Sequence, residues 1–225
     1  TEFLGLSCHI GSQIQNAKPF ESAWKQLLLL SEKCPFKVQE LDLGGGLGIP
    51  YESNNQLPPS PEEYCALIAQ KVGHLGCEIE IEPGRFIAGN AGVFVSEVIY
   101  VKQGEDREFL IVDGAMNDLI RPAMYDAHHD IVPINAPAAG TEYQAYDVVG
   151  PVCESGDWLA RSRSLAIEEG DLLAIMSAGA YGMTMASNYN TRGRAAEVMV
   201  DGAQMYLIRQ RENAEDLFAL ESIIK

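Results

Sequence analysis

Cys77-Glu78-Ile79-Glu80-Ile81-Glu82-Pro83-Gly84-Arg85 is the stretch on which the fold turns. Ile79 and Ile81 alternate with Glu78, Glu80 and Glu82, the period-2 pattern of a strand. Pro83-Gly84 stops it, because proline cannot donate to a ladder and glycine permits a sharp exit. A carboxylate at the strand end and an arginine three residues on place opposite charges at one strand mouth. In α/β proteins ligands bind at such mouths. The same residues also fit a solvated glutamate face followed by a loop arginine, so the neighbours have to decide.

Upstream, Phe3-Leu4-Gly5-Leu6-Ser7-Cys8 reads as a short buried strand running into His9-Ile10-Gly11-Ser12-Gln13. Pro19 opens a helix whose Ala23, Trp24, Leu27, Leu28 and Leu30 lie on one stripe, and Pro35 closes it. Val38 to Leu43 is a second strand, capped by Gly44-Gly45-Gly46-Leu47-Gly48. A loop rich in Pro and Asn covers residues 50 to 60. Ser60-Pro61-Glu62-Glu63 is a complete helix start: serine N-cap, proline in the first turn, glutamate three residues on. That helix turns Tyr64, Leu67, Ile68 and Val72 inward and ends near Gly73; a third is only the short stretch after Arg85. The βαβαβ rhythm predicts parallel strands with crossover helices. Three such units do not close a barrel, and the chain begins at Thr1 instead of methionine. The expectation is that upstream sequence or another chain completes the sheet.

From about residue 92 the rhythm changes. Val93 to Val101, Glu108 to Val112, Tyr146 to Val149, Leu172 to Met176, Glu197 to Val200 and Gln204 to Arg209 are strand-like, with little helix between them. Asp201-Gly202 is a hairpin signal, supplying the positive φ angles of a two-residue turn. Residues 133 to 140 form a Pro/Ala/Gly loop, and a helix from about Asn213 to Leu220 follows the last strand. The predicted fold is α/β plus all-β, with an α/β domain over 1–91 and an antiparallel β-sandwich or β-barrel over 92–225.

Composition narrows the functional classes. At 225 residues the chain can bury a sizeable core. Its 32 acids against 16 bases leave a net charge of −16, which disfavours nucleic-acid binding. No apolar run approaches the ~20 residues of a membrane span. Five cysteines, odd in number and without a C-x-x-C pair, argue for free thiols in a reducing cytoplasm and against a disulfide frame or a bound metal.

Several clusters carry chemistry. Gly44-Gly45-Gly46 after a strand suits a phosphate cradle or, equally, a tight turn; neither the Walker nor the dinucleotide spacing fits. His9 sits at an equivalent mouth, as a catalyst or as a packed core residue. Arg121 and Tyr125, four residues apart, suit gripping a carboxylate or lie on a surface turn. Cys153-Glu154 sits in a glycine-bounded loop; acidic neighbours raise a thiol's pKa, so Cys153 is a proton donor or a structural cysteine, not an activated nucleophile. His128-His129 reads as structural, and Tyr181 lies on a glycine-flexible loop ahead of Ser187-Asn188-Tyr189-Asn190.

In this order the strings His9–Gln13, Leu43–Gly48, Glu82–Arg85, Arg121–Tyr125, Gly150–Asp157 and Gly179–Asn190 resemble the diaminopimelate decarboxylase family, pyridoxal-phosphate enzymes of the alanine-racemase-like group. The resemblance spans almost the whole chain. It implies the last three βα units of a (β/α)8 barrel followed by a β-domain. It also implies decarboxylation of meso-2,6-diaminopimelate to L-lysine and CO2, in a cytoplasmic homodimer whose active site is shared between subunits. Residue by residue, Glu82 would pair with the pyridine nitrogen and His9 would stack on the ring. Ser12, Gly44, Gly45, Gly46, Pro83, Gly84 and Tyr181 would hold the phosphate region, and Arg85 phosphate or substrate carboxylate. Cys153 would deliver a proton after CO2 leaves, from the partner subunit. Arg121 with Tyr125 would take the distal carboxylate of the substrate and Glu154, like Cys153 from the partner subunit, its ammonium, with Tyr181 also contacting substrate.

One departure stands out. The family's Schiff-base lysine belongs to an early barrel strand, and none of Lys18, Lys25, Lys33, Lys37, Lys71, Lys102 and Lys225 sits at a strand mouth. The chain alone is therefore expected to be inactive and to bind cofactor weakly or not at all. The alternatives are an ornithine- or arginine-type decarboxylase of the same fold, disfavoured by Arg121 and Glu154, and an inactive binding or regulatory protein built on a truncated barrel.

Overall fold

The computed structural model describes residues 2–52, 57–137 and 140–224, and the chain divides into two compact units, Thr1–Ala91 and Gly92–Lys225. Parts of the two predicted loops (residues 53–56 and 138–139), together with Thr1 and Lys225, lie outside the described residues. Among the described residues no helix is long and apolar enough to cross a membrane.

The first unit runs β1 (Gly5–Ser7), α1 (Ala17–Ser31), β2 (Glu40–Gly45), α2 (Pro61–Val72), β3 (Glu78–Glu82) and α3 (Gly84–Ala88). The strands form one parallel sheet in the order β1-β2-β3, with Leu6 opposite Leu41 and Leu41 opposite Ile79. Leu41 and Leu43 bury on the helix side against Phe20, Trp24, Leu27 and Tyr64. The alternate residue Asp42 takes a hydrogen bond from the Ser7 hydroxyl at 2.8 Å. The Phe20, Trp24 and Tyr64 rings pack pairwise with centroids 5.1 to 5.8 Å apart, which locks α1 against α2.

Helix starts follow the sequence signals. The Ser60 hydroxyl accepts from the Glu63 N–H at 3.2 Å, while the Ser60 N–H donates to the Glu63 carboxylate at 2.9 Å, completing the capping box. Pro19 lies in the first turn of α1, not at its opening, a position where its missing N–H leaves no intrahelical bond unmade. Leu30 departs from expectation. The buried stripe of α1 is Phe20, Trp24 and Leu27, and three residues further the helix has carried Leu30 round into solvent.

The second unit contains β4 (Phe94–Gln103), β5 (Glu108–Val112), α4 (Arg121–Tyr125), β6 (Ile131–Pro133), β7 (Gln144–Val149), β8 (Trp158–Leu165), β9 (Leu172–Ile175), β10 (Glu197–Asp201), β11 (Gln204–Arg209) and α5 (Ala214–Phe218). Six strands form one sheet ordered β6-β9-β4-β5-β7-β8, and β10 and β11 pair separately. The sequence predicts an antiparallel sheet, but β5 and β7 run parallel. The long connection through α4 and β6 provides the crossover that a parallel pair requires. Val98, Leu110, Val148, Leu159, Leu173 and Ile175 form the buried centre.

Two strands escaped the sequence reading. β6 is short and ends in proline, and β8 carries Arg161-Ser162-Arg163-Ser164, which hides its apolar alternation. β8 pairs with β7 through register shifts, and Ser162 there takes a left-handed φ of 50°. The Asp147 carboxylate holds it, accepting the Ser162 N–H at 2.8 Å. In the β10–β11 hairpin Asp201 belongs to the strand and pairs with Gln204, so Gly202, with φ 58°, and Ala203 make the turn. That is the glycine-first pattern of a type II′ turn, not the Asp-Gly turn expected.

Glu212, ahead of α5, gathers the Arg194 guanidinium, the Arg194 N–H at 2.9 Å and the Asn188 amide at 2.6 Å. These bonds hold its carboxyl down at about 2. A carboxyl depressed in the folded state stabilises above its unfolded pKa, near 4.5, and loses that contribution as pH falls towards 2. Acid titration followed by hydrogen exchange should therefore show protection of residues 188–194 falling over that window, and Glu212→Gln should flatten the dependence. In the first unit, Phe20→Ala should lower unfolding stability by ~3–5 kcal/mol in denaturant melts, because the ring cluster cannot collapse onto the cavity.

Candidate active site

The first unit brings its three strand mouths together through backbone contact. At the end of β2, Gly44 takes a left-handed φ of 75°, and a Cβ there would overlap the Cys8 carbonyl and crowd the His9 backbone. Gly45 pairs with Glu82 in register, and a Cβ on it would overlap the Glu82 carbonyl. Only glycine lets β1, β2 and β3 end this close, which sets His9, Gly44–Gly46 and Glu82 side by side. The Gly44 N–H is engaged, donating to the Asp42 carboxylate at 2.8 Å. Gly46 accepts the Ile14 N–H at 2.9 Å and so ties down the loop after His9.

Past Glu82 the chain turns at Pro83 into α3, and this sends Arg85 back across the mouths. Its Nη2 and Nε donate to the Ser12 hydroxyl at 2.9 and 3.3 Å, and Nη1 donates to the Tyr51 hydroxyl. The guanidinium carbon also lies 5.7 Å from the Tyr51 ring centroid. One cation and two hydroxyls thus converge beside the glycines, a donor set suited to a phosphate dianion. Tyr51 was missed from sequence because it lies on a loop with no motif around it. Its value depends on the 34-residue separation that the fold closes.

In the second unit, α4 carries Arg121 and Tyr125 on successive turns but gives them opposite surroundings. Tyr125 is 61% exposed, whereas Arg121 is only 7% exposed. Arg121 Nη1 lies 2.8 Å from His129 Nε2, and His129 Nδ1 lies 2.8 Å from the Met176 carbonyl. Burial, helped by the guanidinium, pushes the His129 imidazole down to about 4. Tyr181 stands in the loop after Met176 with a left-handed φ of 59°, exposed between buried Ala180 and Gly182.

The loop bearing Cys153 and Glu154 is clasped by Asp157. Its buried carboxylate accepts the Val152 N–H at 2.6 Å and the Met116 N–H at 2.7 Å. Both Cys153 and Glu154 are therefore exposed on a fixed turn. The Tyr189 hydroxyl donates to Glu154 at 3.3 Å, and the Glu154 charge raises the phenol's pKa. Asp157, Tyr189 and His129 act here without having been singled out individually from sequence. Asp157 and His129 are buried partners of backbone groups, and a sequence pattern does not record which carbonyl or N–H a side chain will meet.

Residues 16–179 match the family described as pyridoxal-dependent decarboxylase, C-terminal sheet domain. A diaminopimelate decarboxylase from Vibrio cholerae is 52% identical over 98% of this chain and 53% of that protein. The crystal structure of diaminopimelate decarboxylase from M. jannaschii in complex with L-lysine superposes with a TM-score of 0.88 at 34% identity, over 98% of this chain and 52% of that one. A lysine/ornithine decarboxylase from Vibrio vulnificus, complexed with putrescine, gives a TM-score of 0.73 at 27% identity, over 85% of this chain and 53% of that one. The chain spans about half the length of the curated relatives it matches. With its parallel βα unit, its sheet unit and that match, the chain belongs to the pyridoxal-dependent decarboxylase family.

Proposed function

We propose that this chain is part of a cytoplasmic enzyme that decarboxylates meso-2,6-diaminopimelate to L-lysine and CO2, with the first unit forming the last three βα segments of a (β/α)8 barrel. The observation that carries the substrate choice is that the sheet unit offers two opposite charges, the buried Arg121 guanidinium on α4 and the exposed Glu154 carboxylate on the Cys153 loop. Diaminopimelate has an amino-carboxylate at its far end and needs both charges there. A bare diamine end, as in ornithine, has no use for the arginine, and unpaired polar groups in a closed site are costly.

Pyridoxal phosphate fits the strand mouths, and when bound it supplies an electron sink for the pair left by departing CO2. Arg85 and Ser12 would hold its phosphate with Tyr51 and the backbone of Gly45, Gly46 and Gly84, while Gly44, whose N–H is taken by Asp42, lets the strands close and Pro83 sets the turn. Tyr181 is assigned to the phosphate and to substrate. Glu82 would keep the ring nitrogen protonated and His9 would stack on the ring. Arg121 and Tyr125 take the distal carboxylate and Glu154 the distal ammonium. Cys153 Sγ–H delivers a proton to the substrate Cα, from the second subunit of a homodimer. The lysine that holds the cofactor comes from a part of the protein outside this chain.

In the complete protein, Arg121→Ala should reduce kcat/KM for diaminopimelate at least ~100-fold more than for a diamino acid lacking the distal carboxylate. Equal losses on both substrates would remove the assignment. Cys153→Ala should slow lysine release by ~10²–10⁴-fold while leaving the cofactor's visible absorbance in place, as expected for loss of a proton donor. An unchanged rate would exclude Cys153 from that role.

A further inference from the structure

We propose that His129 is a positioning residue that fixes the Arg121 guanidinium for the substrate's distal carboxylate; this rests on the reading of Arg121 given above. The geometry dictates the protonation state. Arginine only donates, so the His129 Nε2 that faces Arg121 Nη1 at 2.8 Å must be bare and accepting. The carbonyl of Met176 only accepts, so the Nδ1 that faces it at 2.8 Å must carry the proton. His129 is thus a neutral Nδ1–H tautomer with both nitrogens committed, and it is fully buried.

The anchorage explains why such a group is needed. α4 spans only Arg121–Tyr125, about one turn and a half, too short by itself to immobilise a long and rotamer-rich arginine side chain. Met176 directly follows β9, whose Leu173 and Ile175 are fully buried. Its N–H donates to the Asp130 carbonyl at 2.8 Å, continuing the ladder in which Ile131 faces Ile175. His129 therefore suspends the guanidinium from the end of β9, a strand paired on both sides, and links α4 to the segment that runs on to Tyr181. The adjacent His128 serves other groups, with Nε2 on the Asp130 carboxylate at 2.9 Å and Nδ1 on Arg163 Nη2 at 2.7 Å. Arg163 also donates to the His129 carbonyl at 3.4 Å, which braces the backbone of the pair.

The test compares Arg121→Ala, His129→Leu and His129→Gln in the complete, cofactor-loaded protein, on diaminopimelate and on a diamino acid without the distal carboxylate. His129→Leu should raise KM for diaminopimelate ~10-fold or more, with kcat changed less than about threefold and the simpler substrate unaffected. His129→Gln, whose amide oxygen can accept from Arg121, should restore most of the loss. Nitrogen-15 spectra of the wild-type ring at neutral pH should show Nδ1 protonated and Nε2 bare, a readout that holds even if the leucine variant does not fold. A folded His129→Leu with unchanged KM, equal losses on both substrates, or a protonated Nε2 overturns the assignment. If Arg121→Ala is damaging while His129→Leu is silent, only the His129 role falls. If Arg121→Ala does not discriminate the substrates, the substrate reading and this inference fall together.

Discussion

Backbone crowding at the end of β2 is the constraint on which the first unit depends. Three parallel strands finish within contact of one another, and at Gly44 and Gly45 the space of a side chain is occupied by the carbonyls of Cys8 and Glu82. That closeness puts His9, the glycines and Glu82 on one rim. It also brings the loop after β1 near enough for Ser12 to meet Arg85. The aromatic lock of Phe20, Trp24 and Tyr64 on the opposite side of β2 holds the helices while leaving the rim open. Packing on one face and polar chemistry at one end follow from the same strand.

The second unit works by a different device. Its candidate site residues stand on loops and on the short helix α4, and buried or charged side chains fasten several of these segments by satisfying backbone groups. Asp157 closes the Cys153–Glu154 turn, His129 joins α4 to the exit of β9, and Glu212 gathers the segment around Asn188 and Arg194. An unsatisfied backbone group in such surroundings costs ~1–3 kcal/mol, so each anchor selects one loop conformation over many. The loops can then expose a thiol and a carboxylate without being loose.

Much of this was legible in the residues. The period-2 run Glu78–Glu82, the Ser60–Glu63 capping box and the six strands expected after residue 92 read correctly, because each is set by neighbours within a few positions. Local readings failed where distant partners intervene. β8 is a strand because β7 and Asp147 hold it, despite its mixed polarity; β5 and β7 run parallel because a long crossover permits it. Leu30 faces solvent because the helix turn carries it off the buried stripe of Phe20, Trp24 and Leu27.

The sequence by itself determined the βαβαβ rhythm, the change to a sheet unit, and the residue types at each strand mouth and loop. Short-range spacing encodes all of these, since periodicity, caps and glycine placement act within one or two turns of chain. Only the tertiary structure decided that Tyr51 meets Arg85, that Asp157 clasps its own loop, and that a histidine without any motif holds Arg121. Those pairings bring together atoms from separate elements, and their strength comes from desolvation and direction, which exist only once the chain has folded.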